Sequence, residues 1–247
     1  MRGRYPSTGL SYAFGPGPVT PAVKALLIAN IAAFVVTFFQ QQLLITFGLQ
    51  PKAVLEHGAI WQIVTYMFMH GNLSHVFFNM LTLWLIGTEL ERMWGTKYFS
   101  KFYAFCGLGA GLTQILLGFI PGPIGAQFYN QSTIGASGAI FGLLLAFALY
   151  FPTRPFLVFF IFPVQARYLV MILGGISLLF ALGGGGGVAH TAHLGGLAAG
   201  YLYLKGKRLN ILSEIQYRYL KWRINRMRKK FDVYSGGRGD DVNRRVH

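Results

Sequence analysis

The rest of the chain is organised around residues 132–146, which read S-T-I-G-A-S-G-A-I-F-G-L-L-L-A. A glycine-containing turn at residues 135–138 leads directly into an apolar helix that carries no charge. Small residues recur at every fourth position of that helix, at Gly138, Gly142 and Ala146. In lipid, small residues at this spacing let a second helix backbone approach closely. The stretch predicts a closely packed membrane helix with one hydroxyl, that of Ser137, at its start.

The rest of the chain has the composition of a membrane protein. Of its 247 residues, 53% are hydrophobic and 12% are charged, against roughly 25% charged residues in soluble domains. Apolar runs of spanning length recur, and they predict an all-α polytopic membrane protein with a bundle of six transmembrane helices. The predicted spans are residues 24–40, 75–92, 99–120, 137–151, 166–182 and 189–204.

Two segments between the predicted spans are apolar without being expected to cross. Residues 41–74 are half-polar and irregular, which predicts an interfacial first loop. Residues 151–165 contain three prolines, which favour an interfacial segment over a seventh crossing helix. The first 22 residues are polar and basic, so we expect no cleavable signal peptide. The lone cysteine, Cys106, excludes an internal disulfide framework.

The distribution of positive charge predicts the orientation. Lys and Arg precede span one, follow spans two and four, and fill the chain beyond Gly200, whereas Lys52 alone falls on the other side. The positive-inside rule then puts both termini in the cytoplasm, and the loops around residues 41–74, 121–136 and 183–188 outside. An even number of spans satisfies this arrangement, and we expect a bacterial cytoplasmic (inner) membrane.

The net charge of +15 comes largely from the tail, residues 205–247. Its basic residues alternate with aromatic and aliphatic ones, a pattern typical of an amphipathic helix on anionic lipid headgroups. This membrane role explains the charge, so nucleic acid is not an expected partner. Residues 235–247 are expected to be disordered.

Polar side chains recur at one depth of the predicted bundle. Ser137 begins span four, His75 and Asn79 begin span two, and His193 lies near the start of span six. All follow outward loops, and His75 and Asn79 share a helix face because they are four residues apart. Polar groups inside a membrane are costly and usually functional. Span six also carries small residues every four positions, at Ala192, Gly196 and Gly200.

Two helices with such ridges can pack closely enough to bring the Ser137 hydroxyl to the His193 imidazole. A serine hydroxyl is a weak nucleophile that needs an adjacent base, and histidine can take its proton near neutral pH. Neither span contains Asp or Glu, so the predicted catalytic unit is a dyad. The Ser137 amide, the Asn79 amide and the His75 imidazole are candidate oxyanion donors.

A metal site and a purely structural packing role are the competing interpretations. Five histidines fall in or beside outward regions, namely His57, His70, His75, His190 and His193. Histidine is a common zinc ligand, but no His-Glu-x-x-His motif occurs, and the only nearby carboxylate is that of Glu56. A metal site would leave Ser137 and Asn79 without a role. We therefore expect no metal and no cofactor.

Together these motifs resemble the rhomboid intramembrane serine proteases. The resemblance covers about residues 55–204 and rests on residues 70–79 (H-G-N-L-S-H-V-F-F-N), the turn at residues 135–138, and Ala192-His193 with Gly196 and Gly200. It implies that Ser137 is the nucleophile and His193 the general base. It also implies that His75, Asn79 and the Ser137 amide form the oxyanion hole. The Glu89-Leu90-Glu91-Arg92 run resembles the family's acidic-basic cluster, with a structural role.

The chain departs from the family pattern at two positions. Trp61-Gln62 stands where the family often has Trp-Arg, which affects only the geometry of the first loop. Phe141 stands where the family often has tyrosine; it can still stack on His193. The glycine run 183–187 is either a flexible connector or, as the resemblance favours, a mobile cap over the site, with lateral entry near span five.

The resemblance completes the predicted organisation. Residues 1–23 form a cytoplasmic segment, 24–204 a rhomboid-like protease domain, and 205–247 a basic cytoplasmic tail. The implied function is endopeptidase cleavage in or near transmembrane segments of membrane proteins. Such substrates would have a small residue before the scissile bond and an easily unwound helix. The alternative is a proteolytically inactive rhomboid-like protein that binds membrane clients.

Overall fold

The structure, a computed structural model, describes residues 15–158, 161–183, 187–208, 221–223 and 226. Those residues form helices joined by short connections, with one small hairpin. The helices are α1 (Pro21–Phe39), α2 (Gln42–Phe47), α3 (Pro51–His57), α4 (Gln62–Thr65), α5 (Leu73–Thr82), α6 (Thr88–Trp94), α7 (Thr96–Leu117), α8 (Pro123–Asn130), α9 (Ser137–Tyr150), α10 (Ala166–Leu182) and α11 (Gly187–Arg208). A 3₁₀ turn (Tyr66–Phe68) follows α4, and a π-helical turn (Leu83–Gly87) joins α5 to α6.

Each of the six predicted spans coincides with a helix or, for span two, with the continuous run from α5 through α6. Among the described helices, α1 combines the length and hydropathy of a membrane-crossing segment, while α9 and α10 are apolar but shorter. The number of crossings therefore stays a prediction. The chain divides by compactness after Leu204. Most of the predicted amphipathic tail helix lies outside the described residues, as do Gly184–Gly186 of the glycine run.

A small hairpin departs from the all-helical prediction. Strands β1 (Pro155–Val158) and β2 (Phe162–Gln165) pair antiparallel, with Pro155 opposite Gln165 and Val158 opposite Phe162. The prolines of this segment were expected to prevent a crossing helix, and the described residues between α9 and α10, 151–158 and 161–165, form no helix. The extended conformation that proline favours suits a short two-stranded ribbon equally well. A hairpin is the form that the predicted interfacial segment takes.

The carboxylate of Glu91 fixes the start of α1. It accepts hydrogen bonds from the backbone N–H groups of Ala22 and Val23, both at 2.9 Å, and from the hydroxyls of Thr20 at 2.5 Å and Thr96 at 2.6 Å. An anion at a helix N-terminus satisfies free amides and complements the helix dipole. The acidic-basic cluster thus makes structural contacts, as predicted.

The other charged members of that cluster also bind across the fold. Arg92 donates to the carbonyl oxygens of Pro16 and Pro18 in the segment before α1. Glu89 pairs with Arg154, near the hairpin, at 2.9 Å. Helix α6 therefore holds both the approach to α1, through Arg92 in its last turn, and the segment after α9, through Glu89 in its first turn.

The first loop is folded into α2, α3, α4 and the 3₁₀ turn. An antiparallel bridge joins Leu49 to Thr133, just before the serine-bearing turn, with N–H···O distances of 2.9 and 2.8 Å. Gln62 is buried; its side chain accepts from Gln50 N at 3.0 Å and donates to Thr46 O at 3.2 Å. At the position where the family often has arginine, glutamine therefore still ties the loop together.

The small-residue ridges of α9 and α11 meet as predicted. A Cβ on Gly196 would lie 1.9 Å from the carbonyl oxygen of Gly138, and one on Gly200 would lie 3.1 Å from Gly142 Cα. On the other side of α9, a Cβ on Gly142 would lie 2.4 Å from the Cys106 sulfur of α7. The three helices approach so closely that a Cβ at Gly196 or Gly142 would clash and one at Gly200 would be tight, which is the packing expected between helices in lipid.

Candidate active site

The turn before α9 is held in a conformation that requires glycine. Gly135 has φ +117°, and its N–H donates to the Tyr66 carbonyl oxygen at 2.8 Å. A Cβ at this position would lie 2.7 Å from Nε2 of His75 and 3.7 Å from Nδ2 of Asn79. The turn can therefore lie directly against the polar face of α5. It delivers Ser137 as the first residue of α9, half-buried beside that face.

The side chains of Ser137 and His193 are in hydrogen-bond contact. Ser137 Oγ and His193 Nε2 are 2.8 Å apart, although the residues are 56 positions apart in the chain. The close contact between Gly138 and Gly196 fixes α9 and α11 next to each other at this level. With a proton on the other ring nitrogen, Nδ1, the imidazole can accept the serine proton at Nε2. This is the arrangement that activates a serine nucleophile.

Two side chains contact the His193 ring, one on its face and one at its edge. Phe141, one turn along α9 from Ser137, stacks on it with the ring centroids 4.1 Å apart and the planes 7° from parallel, as predicted. Ser177 of α10 lies with its Oγ 3.4 Å from His193 Nδ1. Ser177 was not among the predicted site residues. Its signal was available, since it is the only polar residue of α10 beyond Tyr168, and isolated polar residues in apolar helices are commonly functional.

The start of α5 is capped so that His75 and Asn79 face the serine turn. The Asn72 side chain accepts hydrogen bonds from His75 N and Ser74 Oγ, both at 2.8 Å, which is a typical N-cap arrangement. Asn79 is buried, and its Nδ2 has no hydrogen-bond partner. A buried donor without a partner is rare in folded proteins. Here it lies beside the backbone that leads into Ser137.

His70 supports this face from the first loop. The side chain is 1% exposed, its Nδ1 is 3.3 Å from the Phe68 carbonyl oxygen, and its ring meets His75 edge-on with centroids 4.9 Å apart. Burial, with a smaller contribution from His75, lowers the pKa of His70 to about 4. It is therefore neutral at physiological pH. In the sequence, His70 was a candidate metal ligand and the first residue of the 70–79 motif, but its burial beside His75 was not predicted.

The histidines do not converge on one point. His190 stacks on Phe180 and meets the edge of His193 with centroids 5.7 Å apart, while His57 ends α3. Within the part of the chain that the structure describes, no group of three or more His, Cys, Asp or Glu side chains could hold a metal ion. The polar side chains grouped around the serine turn are instead a hydroxyl, two imidazoles and a primary amide.

Comparison with known proteins gives a consistent result. The Rhomboid domain family model matches residues 57–207. The chain is 30% identical over 158 residues to Rhomboid protease GluP of Bacillus subtilis, covering 64% of this chain and 28% of that protein. It is 32% identical over 191 residues to Rhomboid protein 1, mitochondrial, of Saccharomyces cerevisiae, covering 73% and 51%. It is 30% identical over 155 residues to RHOMBOID-like protein 4 of Arabidopsis thaliana, covering 63% and 36%.

The chain spans between about a quarter and a half of the length of these three relatives. The family model, in contrast, matches more than half of this chain. The matched residues include all the site residues described above. The chain belongs to the Rhomboid family of polytopic membrane proteins.

Proposed function

We propose that this chain is an intramembrane serine endopeptidase that hydrolyses peptide bonds in or near the transmembrane segments of other membrane proteins. The observation that carries the proposal is the 2.8 Å contact between Ser137 Oγ and His193 Nε2. A serine hydrolase needs at least a nucleophile and a base within hydrogen-bond distance of each other. The substrate class follows from membership of the Rhomboid family.

In the proposed reaction, Ser137 Oγ attacks the scissile carbonyl carbon while its proton passes to His193 Nε2. The tetrahedral intermediate collapses to an acyl-enzyme, and the imidazolium gives its proton to the departing amine. Water then attacks the ester with His193 again acting as base, which releases the second product and restores the serine. The stacked Phe141 ring keeps the imidazole plane fixed during both proton transfers.

The oxyanion of the intermediate needs donors that are in place before it forms. Asn79 Nδ2 is a suitable donor, because it is buried without a partner beside the turn that carries Ser137. His75 Nε2 lies against the same glycine. The Ser137 amide is one of the free N–H groups at the start of α9. We assign oxyanion stabilisation to these three groups.

The proposal includes the predicted topology and surroundings. Six spans, cytoplasmic termini and a site facing the outer side remain the arrangement that the positive-inside rule favours. Large apolar side chains exposed on α1 and α10, such as Phe39 and Leu182 at 79% and 78% exposure, are suited to contact with lipid acyl chains. The basic tail is proposed to lie on anionic headgroups of a bacterial cytoplasmic membrane.

Cleavage of a membrane-anchored reporter in liposomes tests the function. Wild-type protein and a Ser132→Ala control, which alters an exposed serine of the same segment, should cleave at similar rates. Ser137→Ala should lose activity by several orders of magnitude, because removal of any member of such a unit leaves little above background. Equal cleavage by Ser137→Ala would refute the proposal. No cleavage by any variant, with reporter still bound, would favour the client-binding alternative.

A further inference from the structure

Ser177 is a buried hydroxyl on an otherwise apolar helix. It is 2% exposed, while its neighbours Ile176 and Leu178 are 41% and 49% exposed. The side chain therefore turns from the outer face of α10 toward the interior. A hydroxyl buried in apolar surroundings destabilises a fold unless it has a hydrogen-bond partner. The partner in reach is His193 Nδ1, at 3.4 Å.

The role of the other ring nitrogen of His193, Nε2, determines which atom is the donor in the contact between Nδ1 and Ser177. Nε2 is 2.8 Å from the Ser137 hydroxyl, whose proton it has to accept. A neutral imidazole that accepts at Nε2 carries its proton on Nδ1. The Nδ1–H group then donates to Ser177 Oγ. A contact of 3.4 Å is long for a hydrogen bond, but such contacts commonly tighten as charge develops on the base.

We infer that Ser177 is a positioning residue for His193, an inference that rests on the proposed function. Its oxygen holds the imidazole in the Nδ1–H tautomer and stabilises the imidazolium that forms when Ser137 attacks. The Ser137 proton moves to Nε2, the Nδ1 proton stays on the ring, and Ser177 keeps its own proton. Helices α9, α10 and α11 contain no Asp or Glu. Ser177 thus occupies the place that a carboxylate takes in a catalytic triad.

Two independent contacts then define the ring orientation. Phe141 covers the face of the imidazole and fixes its plane. Ser177 at the edge fixes rotation within that plane. The other titratable groups around the ring are His190 of α11, at 5.7 Å between centroids, and His75 of α5. Among the described residues, Ser177 supplies the hydrogen-bond contact to Nδ1.

Steady-state cleavage by three α10 variants tests this inference. Ser177→Ala should lower kcat about tenfold with KM unchanged, as expected for loss of a hydrogen bond that strengthens with charge. The midpoint of the acid limb of its pH–rate profile should move to lower pH, by about half a unit or more. Ser177→Thr keeps the oxygen and should restore most of both properties. Gly175→Ala is the control, since its added methyl meets nothing within 4 Å.

The outcomes separate this inference from the proposed function. If wild type cleaves, Ser137→Ala does not, and Ser177→Ala matches wild type in kcat and pH profile, the positioning role is wrong. The role is equally wrong if Ser177→Ala lowers the rate at every pH without moving the acid limb, or if Ser177→Thr is no better than alanine. An inactive wild type would overturn both. Should Ser177→Ala fail to fold in thermal unfolding, the threonine variant decides: a wild-type profile supports the role, and a profile displaced as predicted for alanine refutes it.

Discussion

Replacing Gly196 by alanine tests how the α9–α11 contact sets the distance between Ser137 and His193. The new Cβ would lie 1.9 Å from the carbonyl oxygen of Gly138, and real Cβ atoms essentially never come closer than 3.0 Å to another heavy atom. The separation must grow by about 1.1 Å, and both sides of the contact are backbone. Because Gly138 follows Ser137 directly and Gly196 is one turn from His193, the shift must pass to the 2.8 Å contact between their side chains.

A displacement of about 1 Å in a catalytic constellation can cost about 100-fold in rate. We therefore expect Gly196→Ala to lower kcat/KM for the reporter about 100-fold. Overpacking should also reduce stability by about 1–3 kcal/mol, seen as a lower Tm. The matched control is Gly206→Ala on the same helix, whose methyl meets nothing within 4 Å. A folded Gly196→Ala protein with activity within threefold of wild type would refute the claim that this contact sets the site.

Three further predictions concern the oxyanion donors, the buried histidine and the topology. Asn79→Ala should lower kcat by about 100- to 1000-fold with little change in KM, the usual effect of losing one oxyanion donor, whereas His193→Ala should be close to inactive. The pKa of His70 is about 4 in the fold against 6.5 in the unfolded chain, so the unfolded state gains the proton first as pH falls. Wild type should therefore lose up to about 3 kcal/mol more stability than His70→Gln between pH 6.5 and 4. A reporter fused after Val246 should be cytoplasmic, and one inserted near Gly122 external.

Each of these has a result that contradicts it. An active His193→Ala with an inactive His75→Ala would make His75 the base. Parallel stability curves for wild type and His70→Gln across the acid range would mean that His70 is not buried as a neutral group. An external C-terminus would require an odd number of spans and would invert the proposed orientation of the site.

Helix positions and the close helix contacts were predictable because they depend on local patterns. The four-residue spacing of Gly138 and Gly142, and of Gly196 and Gly200, predicted a contact that the structure contains. The stacking of Phe141 on His193 was likewise predictable from their places on two adjoining helices. Ser137, His75 and His193 were predicted to lie close together because each is a polar residue near the start of a helix. Their catalytic roles stay predictions.

Features that depend on tertiary contacts were not predictable in the same way. The β1–β2 hairpin forms in a segment whose prolines exclude helix without specifying what replaces it. The burial of His70 depends on how the first loop folds back against α5. Ser177 could be singled out in the sequence as an isolated polar residue, but its contact with His193 depends on which face of α10 points inward, and that is a tertiary feature.

Site-mapped labelling with a fluorophosphonate, which reacts with an activated serine, tests directly whether His193 activates Ser137. Intact-mass measurement followed by peptide mapping should find one adduct per chain, on Ser137, in wild-type protein. His193→Ala should not be labelled, because without the base the hydroxyl is a weak nucleophile. Labelling of wild type at another serine, or equal labelling of Ser137 in the wild type and His193→Ala, would mean that Ser137 and His193 do not form a catalytic dyad.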